Sequence, residues 1–211
     1  MFGDGSLTFR EFMMREPLPL ATIHDAVLEF LRGRDDAVLY GAQAVNAYVE
    51  ESRMTQDVDI ASPRAEALAE ELRAFLSKRF HIAVRVRNIR EGLGYRIYQV
   101  QKPKNRHLVD VRPGGSLPPT ERVKEVGVVS PAELMAEKVL SMVQRTDVAK
   151  SLVDQADLIR LLRTFPHLKT VEGAVAERLQ ATAASAEVGL AWEKLVAQDI
   201  KPVDEDDKFG E

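Results

Sequence analysis

Two aspartates and one glycine carry the strongest chemical signal in the sequence. Asp57 and Asp59 stand two residues apart in Thr55-Gln-Asp-Val-Asp-Ile60. Val58 and Ile60 mark this stretch as a short strand, and strand residues two apart project from one face. Two carboxylates side by side repel unless a cation lies between them, and an oxygen-only pair suits Mg²⁺. Gly41, in Leu39-Tyr-Gly-Ala-Gln43, falls at a predicted strand-to-helix junction, where backbone amides are unpaired and the helix dipole is positive. A glycine there lets a phosphate approach the backbone. A magnesium site beside a phosphate-holding helix start is the equipment of phosphoryl or nucleotidyl transfer. Each feature alone says little, since a glycine after a strand is most often a turn and D-x-D is often an exposed edge. Asp57 has a plainer reading as a cap or a partner of Arg53. Asp59 is harder to dismiss, because a lone carboxylate in a buried strand costs on the order of several kcal/mol unless matched.

Asp110 repeats that setting in Leu108-Val-Asp-Val-Arg112. It reads equally well as a third carboxylate, holding a second metal or taking the proton of an incoming hydroxyl, and as an ion pair with Arg112 or Arg106. The four histidines show no ligand spacing; of them only His107, three residues before Asp110, stands near a candidate carboxylate. No Ser/His/Asp arrangement and no G-x-x-x-x-G-K-[ST] is present, so serine hydrolysis and P-loop chemistry are unsupported. Cysteine is absent, which excludes thiol catalysis, a zinc ribbon and an iron–sulfur cluster.

Gly41-Ala42 followed by Arg53-x-Thr55-x-Asp57-Val-Asp59-Ile60 resembles the nucleotidyltransferase-fold signature of a Gly-Gly or Gly-Ser pair and R-x-T-x-D-hydrophobic-D. The nearest flavour is the AbiEii-type toxin and related minimal nucleotidyltransferases. Downstream, Pro131-Ala-Glu-Leu134-Met-Ala-Glu137-Lys138-Val-Leu140, then Arg145, then Asp154-Gln-Ala-Asp157-Leu158 is similar to that group's P-x-E-L-x-A-x-K-L, R and D-x-x-D-L elements. The resemblance covers roughly residues 37–162. It implies that Asp57 and Asp59, with Asp110 as the third member in fuller relatives, hold Mg²⁺. It also implies that Gly41, Ala42 and Gln43 form the phosphate-contacting turn, that Thr55 belongs to the nucleotide site and that Lys138 reaches the triphosphate from the helical part. Asp154 and Asp157 match the helical acidic element. Plainer readings stand beside these. Lys138 with Glu133 or Glu137 reads as a solvated charge, and Asp154 and Asp157 read as helix-face partners of Lys150 and Arg160. Thr55 and Arg53 also read as residues that only order a loop, with Arg53 pairing Glu50. Ala42 departs from the family's second Gly or Ser, keeping the amide and losing the hydroxyl.

The elements that must position these residues follow from hydrophobic period. Residues 1–19 read as an entry arm. Apolar residues at three and four predict a helix from Leu20 to near Gly33, then a buried strand Ala37–Tyr40, a helix Ala42–Glu51 and the strand Asp57–Ile60. Ser62-Pro63 reads as a cap with proline at the first position of a helix over 64–80. The period then becomes 2, predicting strands over 81–88, 95–101 and 108–112 and one more edge strand over 123–129. Ser130-Pro131-Ala-Glu133 is a capping box, and helices are expected over 131–145, 147–164, 168–181 and 186–197. The fold class is therefore α+β: a nucleotidyltransferase-like mixed sheet with flanking helices over 20–129, a helical region over 130–200 and an acidic tail over 201–211.

The chain has 211 residues with 45% hydrophobic and 29% charged, ordinary globular usage that needs no staple. It lacks a signal-like start and any apolar run of membrane length, so a cytoplasmic location is expected. The net charge of −4 first argues against a nucleic-acid partner. Between Arg64 and Arg112, however, twelve basic residues face five acidic ones, a local +7 that leaves −11 elsewhere. Such a segment can guide a polyanion such as tRNA, although it equally fits a solvated sheet face or the acidic tail. The expected activity is Mg²⁺-dependent transfer of a nucleoside monophosphate from an NTP to an RNA or protein hydroxyl, with toxin-like action and a cognate antitoxin implied by the resemblance alone. The alternatives are a catalytically degenerate nucleotide- or partner-binding module, and an interaction protein in which Asp57 and Asp59 are ion-paired.

Overall fold

The computed structural model describes residues 18–201 apart from positions 90 and 183; most of the expected entry arm, and the acidic tail beyond residue 201, lie outside the described residues. Seven strands form one mixed sheet in the order β3-β4-β5-β2-β1-β7-β6. They are β1 (Val38–Tyr40), β2 (Val58–Ser62), β3 (Val84–Ile89), β4 (Gly94–Gln99), β5 (Arg106–Pro113), β6 (Thr120–Val123) and β7 (Val126–Val129). The β2–β5 and β1–β7 pairs are parallel and the others antiparallel. Before the hairpins come α1 (Leu20–Leu31), α2 (Gly41–Tyr48) and α3 (Ala65–Phe80); after them come α4 (Pro131–Gln144), α5 (Val148–Thr164), α6 (Ala174–Ala181) and α7 (Ala186–Val196).

Helix α3 lies on β3, β4 and β5 and contributes Leu68, Leu72 and Leu76, all fully buried. Each such leucine stabilises the fold by about 1.5–3 kcal/mol. Strand β3 is polar on one side, where exposed Arg85 and Arg87 alternate with Val84 and Val86. Helix α2 packs on β1, β2 and β7 and also touches α4 and α5. It thereby joins the sheet to the helical region and fixes the wall of a cleft.

Several element boundaries differ from the sequence expectation. The stretch 123–129 is the turn and second strand of a β6–β7 hairpin, and β7 is an interior strand beside β1. The hairpin turns on Lys124 and Glu125, both at positive φ, a geometry that Asn-Gly usually announces and these residues do not. Ser62 does not cap α3: its Oγ accepts from the Arg64 amide in a tight turn, and the helix begins at Ala65 with Arg64 in the cap position. Helix α2 stops at Tyr48 because Val49 is extended. The segment 168–181 breaks into a 3₁₀ turn, Pro166–Leu168, and α6. At Ser130 the cap forms, with Oγ accepting from the Glu133 amide and Pro131 at the first helical position, but the reciprocal half of the box does not: the Ser130 amide donates to the Pro119 carbonyl and the Glu133 carboxylate faces Arg178.

Candidate active site

Strand register assembles the site. Tyr40 pairs with Asp59, Asp59 with Asp110, Asp110 with Arg96, and Arg96 with Arg87. Directly paired residues share a face, so one row runs from Tyr40 through two carboxylates to two arginines at the sheet edge. Asp57 precedes β2 on the same side, two residues from Asp59.

The acidic end opens into a cleft of about 860 Å³, walled by Gly41 and Ala42 of α2, the 53–57 loop, the strand row, and Glu137, Lys138, Ser141, Arg145, Lys150 and Asp154 of the helical region. Gly41 is at φ +67°, and a Cβ there would overlap the Asp59 carboxylate oxygen and lie 3.1 Å from its carboxyl carbon. Both the left-handed backbone and the approach to Asp59 require glycine. Gly41→Ala is therefore expected to lose NTP binding and to be destabilised by roughly 1–3 kcal/mol, which calorimetry with a non-hydrolysable NTP checks; unchanged affinity would contradict this role.

The Asp59 carboxylate makes no hydrogen bond or ion pair to any described residue. Burial, then the charge of Asp57, pushes its pKa up to about 6. Tyr40, its cross-strand partner, is 9% exposed, and its hydroxyl also has no partner among the described residues. An unpaired carboxylate and an orphaned hydroxyl in one cleft are the marks of a site built for a charged guest. Glu137, on the opposite wall, is pushed up to about 7 by burial and by Glu133.

Asp110 is held differently. Arg96 donates Nε and Nη2 to its two oxygens at 2.9 Å each, and His107 Nε2 lies 3.0 Å from Oδ1. Burial would raise its pKa, but His107 and Arg96 hold it well below the usual carboxylate range. The partners expected from sequence, Arg112 and Arg106, are placed elsewhere: Arg112 stacks 5.1 Å over the Tyr40 ring, and Arg106 donates to the Leu18 carbonyl. His107 Nδ1 lies 3.0 Å from Asp57 Oδ2. Burial alone would lower its pKa, yet the hydrogen bonds to Asp110 and Asp57 raise it to about 9. Asp57, His107 and Asp110 each offer a ligand atom within 4.8 Å of the others. This donor set, with Asp59 unpaired beside it, fits a divalent cation.

The remaining candidates divide. Gly41, Ala42 and Thr55 line the cleft. The Gln43 side chain instead donates to Thr55 Oγ1 at 2.6 Å and meets His24 Nδ1 at 3.1 Å, ordering the loop beneath. Lys138 is not a solvated surface charge: it is buried, with Nζ at 2.8 Å from both Asp154 and Asp157. Asp154 also takes Arg145 at 2.6 Å. Asp157, fully buried, takes Arg53 and Arg160. Arg53 is thus a partner of Asp157, steadied by reciprocal bonds between its backbone and the Asn46 side chain. Arg96 at the site, and Tyr40, carry no signal in the sequence, since only strand pairing brings them to the aspartates.

A family model described as "Nucleotidyl transferase AbiEii toxin, Type IV TA system" matches residues 25–208. The fold is shared with the Megavirus polyadenylate synthase, at 14% identity and TM-score 0.54 over 70% of this chain and 32% of the synthase. It is also shared with an H. pylori protein assigned as a nucleotidyltransferase, at 11% identity and TM-score 0.53 over 90% of this chain and 94% of that one. This chain thus spans about a third of the viral enzyme's length. At these identities the likeness is one of fold. No curated protein matches the chain in sequence. No described helix is long and apolar enough to cross a membrane.

Proposed function

This chain belongs to the AbiEii nucleotidyl transferase toxin family, a type IV toxin–antitoxin family, and from that premise we propose that it moves a nucleoside monophosphate from an NTP to an acceptor hydroxyl. The acceptor oxygen attacks the α-phosphorus, the bond to the bridging oxygen breaks, pyrophosphate leaves, and the hydroxyl proton goes to a carboxylate. The observation that carries this reading is the unpaired Asp59 carboxylate against Gly41 at the start of α2. Gly41 and Ala42 bring backbone amides to a phosphate, and Ala42 leaves that amide in place. Asp57 and Asp59 would hold the divalent cation, Mg²⁺ in the simplest case, which when bound neutralises triphosphate charge and eases loss of the hydroxyl proton. Asp59, whose carboxylate has no partner, is freer to accept the proton than Asp110, whose oxygens are taken by Arg96 and His107. The cleft-facing cations Arg96, Arg112, Arg145 and Lys150 offset phosphate charge. Lys138, tied to Asp154 and Asp157, holds α4 against α5 and so positions that wall.

RNA is the acceptor we favour. Exposed Arg85 and Arg87 lie on the same face as Arg96, at the sheet edge about 14 Å from Asp59 by the usual strand spacing, and form a basic approach to the carboxylates. A protein hydroxyl is the second reading, and a cognate antitoxin is the regulatory partner the family suggests. The test offers labelled NTPs to bulk RNA and to bulk protein with Mg²⁺. Label is expected on RNA and absent with Asp57→Ala/Asp59→Ala. Arg85→Glu/Arg87→Glu should weaken RNA binding and reduce the salt slope by about 1 for each phosphate no longer neutralised. Label on protein alone would select the second reading. Equal labelling by the double aspartate variant would sink the transfer mechanism.

A further inference from the structure

The metal site holds a nitrogen donor that paired carboxylates would not require. We propose that His107 ligates the divalent cation through Nδ1 together with Asp57 and Asp59, and that Asp110 serves as the carboxylate that orients this histidine. This deepens the nucleotidyltransferase reading above and rests on it.

Three observations carry the assignment. The first is spacing. Asp57 Oδ2 and His107 Nδ1 are 3.0 Å apart, and two donors at adjacent corners of an octahedral cation with bonds of about 2.1 Å are separated by about 3.0 Å. The second is the far side of the ring. Nε2 lies 3.0 Å from Asp110 Oδ1, and a metal-bound histidine almost always donates its other N–H to a carboxylate or carbonyl, which fixes ring orientation and raises ligand basicity. Asp110 is in turn clamped by both Arg96 nitrogens, so the chain Arg96–Asp110–His107 forms a rigid support. The third is a β-bulge in β5, which also buries Leu108 beside Val109. Residues three apart on a regular strand face opposite sides. A register shift between β4 and β5 pairs Val109 with Ile97 but His107 with Tyr98, leaving Leu108 as the extra residue. That bulge turns His107 onto the Asp110 face. Bulges recur beside functional sites, where they re-aim a side chain.

On binding, the cation replaces the Nδ1 proton, which passes to solvent, while Nε2–H stays on Asp110. An imidazole donor changes selectivity. Carboxylates accept Mg²⁺ and Mn²⁺ alike, whereas imidazole favours the transition metals. The site should therefore prefer Mn²⁺ to Mg²⁺.

Electron spin-echo spectroscopy of the Mn²⁺-loaded full chain tests this directly, because a coordinated histidine adds nitrogen modulation. Modulation is expected in the wild type, is expected to change character on ¹⁵N-histidine labelling, and is expected to vanish in both His107→Gln and His107→Asn. Its absence from the wild type, or its survival in either variant, would overturn the assignment; the wild-type result stands even where a variant fails to fold. Calorimetry with Mn²⁺ and Mg²⁺ should show the Mn²⁺ preference shrinking in His107→Gln. Asp110→Asn should keep the nitrogen signal and weaken Mn²⁺ binding about 10–100-fold; unchanged affinity would remove Asp110 from the support. Mn²⁺ binding that depends on Asp59 but shows no nitrogen overturns His107 alone. Mn²⁺ binding indifferent to Asp59→Asn overturns the metal reading beneath it.

Discussion

Replacing Asp59 with asparagine is expected to abolish nucleotidyl transfer and, in metal-free protein, to make the fold more stable. Both effects come from the same carboxylate. Buried beside Asp57, it has a pKa raised from 3.8 to about 6, so folding at neutral pH carries a charge that the unfolded chain would leave in water. At 1.36 kcal/mol per pKa unit this costs about 3 kcal/mol at pH 7. The sign is set by proton uptake: between pH 3.8 and 6 the native state binds more protons than the unfolded state, so stability falls as pH rises through that window. The gain from Asp59→Asn should be near its full value above pH 6, about 5–10 °C in Tm, and should disappear below pH 4. A divalent cation should close the same gap in the wild type and not in the variant. Transfer should drop about 10³-fold or more, because the lost metal clamp supplies several kcal/mol. Melting curves in chelator between pH 4 and 8, paired with labelled-NTP assays, check both halves. An Asp59→Asn protein less stable than wild type at pH 7 would show that the carboxylate is already matched within the fold.

This opposition between stability and activity is partly legible in the sequence. Asp57 and Asp59 share a face through strand alternation alone, and the cost of Asp59 follows from its neighbours Val58 and Ile60. The glycine at 41 is also readable as a close-approach position, although what approaches it in the free protein is the Asp59 carboxylate. What sequence does not supply is pairing. The parallel register of β2 with β5 brings Asp110 opposite Asp59 across about fifty residues of chain, and β4 then sets Arg96, not Arg106 or Arg112, against Asp110. His107 is hidden by its own spacing, since an offset of three predicts the wrong face until the bulge at Leu108 is known. The β6–β7 hairpin merges into one expected strand because Lys124-Glu125 turns without glycine or asparagine. Lys138 reads as solvated because helix periodicity reports which face is apolar and says nothing of a neighbouring helix that brings carboxylates to it.

That neighbouring helix makes Asp157→Ala the substitution with the largest expected loss of stability. Asp157 is fully buried and accepts from Arg53 Nε and Nη2, Lys138 Nζ and Arg160 Nη1. Those donors come from the 53–57 loop, α4 and α5 itself, so one carboxylate ties three walls of the cleft. Its removal leaves the buried Lys138 with Asp154 alone, and breaking a buried pair in this way costs about 3–5 kcal/mol, or about 10–15 °C in Tm. Arg160, on the rim and nearly a third exposed, should cost under about 1 kcal/mol when cut to alanine. The paired change Lys138→Met/Asp157→Leu should recover much of the loss, because a buried ion pair and an apolar pair of similar volume are often close in stability while a half-pair is not. That double variant also separates the two readings of Lys138. With the ammonium spent on Asp154 and Asp157, NTP affinity should persist in the refolded double variant. A folded double variant that no longer binds NTP would return Lys138 to the triphosphate, as the family resemblance implied. Urea unfolding of the four proteins, followed by NTP titration of those that fold, decides between a lysine that positions the wall and one that touches the substrate.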